Sequence, residues 1–164
     1  MAKMTAAEPT CSIARTVQVL GDRWTLLIVR EAFRGRTKFN DFQEVLGIPR
    51  DVLTARLSDL IEAGVVERRP YKEAGARERF AYHLTPAGDA LLPVLGSLIQ
   101  WGDEYRRTEH GPTRVYRSAT TGEPVRVAFV TASGEIVPNA DIEIVPGPGE
   151  RNAELPAVRP LAHA

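Results

Sequence analysis

Residues 39–69 read FNDFQEVLGIPRDVLTARLSDLIEAGVVERR, and their rhythm decides the fold. Phe39, Phe42, Val45 and Leu46 fall on one face of a short helix, with Asn40 or Lys38 near its start. Gly47-Ile48-Pro49 is a turn. Pro49 and Arg50 open a second helix that carries Leu53, Leu57, Leu60 and Ile61 on one side. Gly64 stands where a glycine commonly ends a helix. The period then changes, and Val65 to Arg69 read as a strand.

Upstream, Ile13, Val17, Leu20, Trp24, Leu27 and Ile28 mark one helical face between Cys11 and Phe33, with Gly21 permitting a break and Gly35 ending the segment. Downstream, Arg79 to Leu84 reads as a second strand, joined to the first by the polar stretch Pro70 to Glu78, which makes a β-hairpin with a charged tip. Thr85 is a good N-cap and Pro86 suits the first helical position, so a helix is predicted from there to about Thr108. Beyond Gly111-Pro112 lie short strand signals at 115–116, 125–130, 135–137 and 142–145, with turns at Thr121-Gly122 and Ser133-Gly134. Nothing is periodic after Pro146-Gly147-Pro148-Gly149. The predicted organisation is a domain over 1–111, a small β-rich extension over 112–148 and a flexible tail over 149–164.

Composition bounds the chemistry. The 164 residues include 43% hydrophobic and 26% charged side chains, ordinary for a globular chain. The single cysteine, Cys11, excludes an intrachain disulfide and a thiolate zinc cage. No apolar stretch approaches the ~20 residues of a membrane span, and the first ten residues lack the apolar core of a secretory signal. The expectation is a soluble, cytoplasmic protein with no membrane partner, no cofactor and no metal. His83, His110 and His163 have no metal-ligand spacing, and neither a phosphate loop nor a nucleophile motif is present, so no enzyme is predicted.

Helix, short helix, turn, helix and β-hairpin follow the order of a winged helix-turn-helix, an α+β fold suited to duplex DNA. The second helix of the pair enters the major groove, and the hairpin reaches sideways to the backbone. Lysine plus arginine equals aspartate plus glutamate at 21 each, which at first argues against nucleic acid. The balance is uneven, however. Arg34, Arg36 and Lys38 cluster without an acid, and Arg68, Arg69, Lys72, Arg77 and Arg79 outnumber Glu73 and Glu78. These two basic stretches flank the helix from Pro49 to Ala63, where phosphates would lie.

The run Cys11-x-Ile-Ala, then GDRWTLLIVREAFRGRTKFNDF from Gly21, GIPRDVLTARLSDLIEAGVVERR from Gly47 and YHLTPAG from Tyr82 resembles the HxlR family of bacterial winged-helix regulators across roughly residues 10–108. The resemblance implies a homodimeric transcription factor that binds double-stranded DNA at a two-fold symmetric operator. Its dimer contacts would come from the N-terminal helix and a long C-terminal dimerisation helix. The β-rich C-terminal appendix is similar to a zinc-ribbon-like extension of some relatives, but Thr, Ser and Ala stand where those carry cysteines. It is expected to fold without zinc.

Carried onto these positions, base-edge contacts are expected from Arg50, Val52, Thr54 and Ala55, with Arg56 on a base or a phosphate. Thr37 and Lys38 suit phosphates, and Arg77 and Arg79 on the hairpin suit phosphates or a minor groove. Each has a plainer alternative: Arg50 as a solvated helix start, and Arg68 or Arg69 as the partner of Glu67 or Glu31. Cys11 is a regulatory thiol on the family reading and a small interface residue on the other. A small-molecule effector belongs to the same expectation, its identity open. The rival function is a winged-helix ligand-binding or protein-interaction module that does not bind DNA.

Overall fold

The computed structural model describes residues 11–75 and 77–149. The segment from Cys11 to Phe33 forms two helices, α1 (Ser12–Leu20) and α2 (Arg23–Phe33). They separate at Gly21-Asp22, because the Asp22 carboxylate accepts the Trp24 amide at 2.9 Å and caps α2. α3 (Phe39–Leu46) and α4 (Arg50–Glu62) match the predicted spans to within a residue. Gly47 and Gly64, at φ +59° and +70°, supply the left-handed backbone that ends each of them.

β1 (Val66–Tyr71) and β2 (Arg79–Leu84) pair antiparallel, with Val66 opposite Leu84 and Tyr71 opposite Arg79. On the other side of β2, Lys38 bridges to Ala81, and the Tyr82 N–H donates to the Thr37 carbonyl at 2.7 Å. β1 is therefore the outer strand. Proline is tolerated on an edge, and β1 continues through Pro70 to Tyr71, two residues beyond the sequence expectation. Ile28 and Val29 of α2, Phe42 of α3, Ile48, and Leu53, Leu57 and Leu60 of α4 close the core with Val65 and Val66. Burial of each such aliphatic side chain contributes about 1.5–3 kcal/mol.

The helix predicted from Pro86 to Thr108 is also two pieces, α5 (Pro86–Asp89) and α6 (Leu92–Tyr105). An unbroken helix would drive the Pro93 ring into the Asp89 carbonyl four residues back, so the chain breaks at Ala90-Leu91 and restarts with Pro93 in a first turn. Thr85 caps α5 as expected, accepting the Gly88 N–H at 3.2 Å. None of the helices among the described residues is long and apolar enough to cross a membrane.

The chain divides into two compact units between Leu98 and Ile99, inside α6 rather than after it. The second unit is sparse in strand. β3 (Phe129–Val130) and β4 (Ile136–Val137) pair antiparallel, and an isolated bridge joins Arg117 to Pro124. The expected strands at 115–116 and 142–145 are not formed as such, and Asn139–Asp141 is a short 3-10 turn. Hydroxyls hold the turns of this unit: Ser118 Oγ accepts the Thr121 amide, and Thr131 Oγ1 accepts the Glu135 amide. The Gln100 side chain reaches from α6 to both the N–H and the carbonyl of Val127, standing in for a neighbouring strand. All but the first residue of the predicted tail lies outside the described residues.

Candidate nucleic-acid interface

The apolar stripe of α4 faces the core, which leaves Arg50, Asp51, Thr54, Ala55, Ser58 and Asp59 exposed. Val52 is half-buried and packs against the core, so less of it is offered outward than its helical position implies. Thr54 is exposed, and its hydroxyl donates back to the Arg50 carbonyl at 2.9 Å. The Arg50 guanidinium lies 4.9 Å from the centre of the Phe39 ring, which props it at the start of the helix.

Arg56, expected on a base or a phosphate from the flank of the helix, is half-buried and held within the chain. Its Nη1 donates to Asp59 at 2.9 Å, and its Nε lies 3.1 Å from Asp22, the residue that caps α2. That Nε contact is a charge pair and not an aligned hydrogen bond, since the atom is buried without a bonded partner. Desolvation alone would raise the Asp22 carboxyl, but the Trp24 amide and the Arg56 charge outweigh it and hold its pKa below the ordinary value. Arg56 ties α4 to the head of α2, a positioning role.

The basic stretch at 34–38 is likewise committed within the chain. Glu31 is completely buried, a position at which carboxylates are rare unless paired. Its Oε1 accepts from Arg30 Nε at 2.8 Å and from Arg34 at 2.7 Å, and its Oε2 accepts from Arg36 at 2.7 Å. Two of the three charges counted toward phosphate therefore serve to pin the loop after α2. The third, Lys38, donates to Glu73 at 2.6 Å and lies 5.3 Å from the Tyr71 ring. The hydrogen bond raises the Lys38 pKa and lowers that of Glu73. Thr37 is half-buried, and its carbonyl is used by Tyr82.

On the hairpin, Arg69 pairs with Glu67, one of the two partners weighed for it. Arg68 instead stacks 4.7 Å from the Phe80 ring. Arg77 and Arg79 are exposed, and with Arg50 they enter no ion pair among the described residues. Arg50, Arg79 and the rings of Phe39, Tyr71, Phe80 and Tyr82 line a groove of about 540 Å³ between α3, the start of α4 and the hairpin. Asn40 and Thr54 complete its wall. The aromatic lining was missed in the sequence, although the strand register would have placed Tyr71 beside Arg79 had β1 been extended past Pro70. Cys11 is exposed at the N-cap of α1, with no side-chain cap bond. The Arg15 guanidinium, one turn on, donates to Ser12 Oγ at 3.0 Å.

This arrangement has close counterparts. The family model for the HxlR-like helix-turn-helix matches residues 19–110, from the end of α1 to beyond α6. The chain belongs to the HxlR-like helix-turn-helix family. Among HxlR relatives, an uncharacterised HTH-type transcriptional regulator of Mycobacterium tuberculosis is 41% identical over 139 residues, spanning 84% of this chain and 87% of its own. The crystal structure of PA1607, named as a transcription factor candidate, superposes with a TM-score of 0.72 at 34% identity, covering 84% of this chain and 96% of that one. The reduced form of the redox regulator HypR superposes at 0.53 with 27% identity, covering 58% of this chain and 94% of HypR. The likeness to PA1607 thus extends past the HxlR match and into the C-terminal unit.

Proposed function

We propose that this HxlR-family protein is a sequence-specific DNA-binding transcriptional regulator, acting in the cytoplasm as a homodimer on a two-fold symmetric operator. One observation carries the reading: the first two turns of α4 stand open beside a hairpin, with Arg50, Arg77 and Arg79, none of them in a salt bridge among the described residues, on these two elements. Arg50, Thr54, Ala55 and the outer edge of Val52 read base edges. Arg77 and Arg79 take phosphates or a minor groove, and Thr37 and Lys38 take phosphates. Arg56 is left out because its charge is spent on Asp22 and Asp59.

The homodimer is supported by apolar residues that a single chain leaves in water. Ile13 and Val17 of α1 are 75% and 56% exposed, and Leu98, Trp101 and Tyr105 of α6 are exposed as well. A second copy of the chain is the occupant that family kinship favours. A thiol input at Cys11 is supported by its exposure at a helix start and by the likeness to a redox regulator.

The test is fluorescence anisotropy with duplexes selected from a random library, in a salt series. Arg50→Ala is expected to lose about 1–3 kcal/mol of discrimination at one operator position. Arg77→Ala is expected to weaken every duplex and to lower the salt slope by about one. No duplex binding at low salt would favour the interaction module instead. Wild-type behaviour from both variants would move the interface elsewhere.

A further inference from the structure

We propose that the groove between α3, the start of α4 and the hairpin is an effector site for a planar aromatic carboxylate, which displaces DNA when bound. The displacement rests on the DNA-binding reading above; the site itself does not. At about 540 Å³ the groove falls within the range of small-molecule sites. Four of its eight lining residues are aromatic, two are arginines and none is acidic. Phosphate contacts need cations and hydroxyls, and the bases of an intact duplex are already stacked on one another. Phe39 and Tyr82 also pack partly against the core, but neither that packing nor DNA accounts for the Tyr71 and Phe80 rings that the hairpin adds to the same wall.

The rings are placed for a ligand. Phe80 is 42% exposed on the outer part of the hairpin, where burying it against the core is not an option, and Arg68 packs 4.7 Å from its ring. Arg50 packs 4.9 Å from Phe39 in the same way. Such cation–ring contacts hold the aromatic faces in place before anything binds. A ligand with an extended π-face meets Phe39, Tyr71, Phe80 and Tyr82, and a carboxylate matches the forked donors of Arg50 or Arg79. Aliphatic acids would lose the stacking, and neutral arenes would lose the ion pair. Arg50, Thr54 and Arg79 belong both to this wall and to the proposed DNA contacts, so the two occupants exclude each other.

The probe is 2-naphthoate, titrated calorimetrically into the DNA-free full chain, with 2-naphthamide and cyclohexanecarboxylate as controls. A dissociation constant of roughly millimolar or tighter is expected for a ligand of this size. Both controls should bind at least about tenfold more weakly, because each lacks one of the two interactions. Arg79→Gln and Phe80→Ala change exposed side chains, and each should weaken naphthoate about fivefold or more while the thermal melt stays put. No heat at about 10 mM, equal affinity for the amide, or indifference to both variants would overturn the site. Naphthoate should also weaken binding of a selected duplex in proportion to its occupancy. Duplex binding without naphthoate binding refutes the effector site and leaves the regulator reading standing. Naphthoate binding with the expected variant losses, in a protein that binds no duplex, supports the site and refutes the DNA reading.

Discussion

Glu31→Gln removes one charge and almost no volume from the most deeply buried carboxylate among the described residues. The native side chain is fully buried and accepts from Arg30, Arg34 and Arg36 at 2.7–2.8 Å. A glutamine keeps one acceptor oxygen but turns an amide NH2 toward a guanidinium. Breaking a buried pair from one side typically costs about 3–5 kcal/mol, and a hydrogen bond to a charged group contributes about 1.5–3. The three arginine side chains are 34–36% exposed, so their charges can turn to water once Glu31 is lost. That lowers the expected loss to about 2–4 kcal/mol. Urea denaturation at a fixed protein concentration reads it as a lower midpoint with an unchanged m-value. Because the carboxylate is shielded from solvent ions, most of the loss should survive about 0.5 M salt. A loss under about 0.5 kcal/mol, or one erased by salt, would refute the view of Glu31 as the anchor of its loop.

The same geometry separates structural from DNA-facing arginines: Arg36→Gln should lower stability by about 1–2 kcal/mol and leave the salt slope of duplex binding unchanged. A slope lowered by about one would return Arg36 to the phosphate contacts. Glu73→Gln frees Lys38 from its 2.6 Å partner and should tighten duplex binding while steepening the slope by about one; unchanged binding would place Lys38 away from the backbone. The Glu73 carboxyl titrates below its ordinary value and the Lys38 amine above its own. The glutamate's contribution to stability is therefore lost as pH falls through its depressed pKa, and the lysine's as pH rises through its elevated one. The bridge should persist across roughly pH 5–10, and an NMR midpoint for Glu73 at or above the free glutamate value would refute it. Gly88→Ala should cost about 1–3 kcal/mol, since a Cβ there would meet the Val65 carbonyl oxygen at 2.3 Å; a wild-type melt would mean that the junction yields.

Helix faces and their glycine ends were legible because they depend on neighbours three or four residues away. Leu53, Leu57 and Leu60 announce α4, and Gly47 and Gly64 stop α3 and α4 with the backbone that only glycine adopts freely. The break between α5 and α6 was also written locally, in Pro93, but the apolar run around it outweighed that single residue. The fate of charge was not legible. A count over 34–38 shows three cations, while the acid that holds two of them sits one turn earlier, at Glu31, and the acid that holds the third is 35 residues away, at Glu73. The aromatic groove was equally hidden, because Phe39 and Tyr71 become neighbours only through the pairing of β2 with both Lys38 and β1.

Gly88 lies so close to Val65 that not even a methyl group fits between them, and Thr85 binds both the Gly64 and Val65 carbonyls across the same seam. The turn that follows α4 and the start of α5 are thereby fastened to each other. In a dimer held together by helices, a joint of this kind works as a caliper. In the proposed homodimer, the spacing of the two α4 helices is then set by the dimer contacts and by the short junction between α5 and α6. An operator with even one or two base pairs inserted between its half-sites should then be refused, not accommodated.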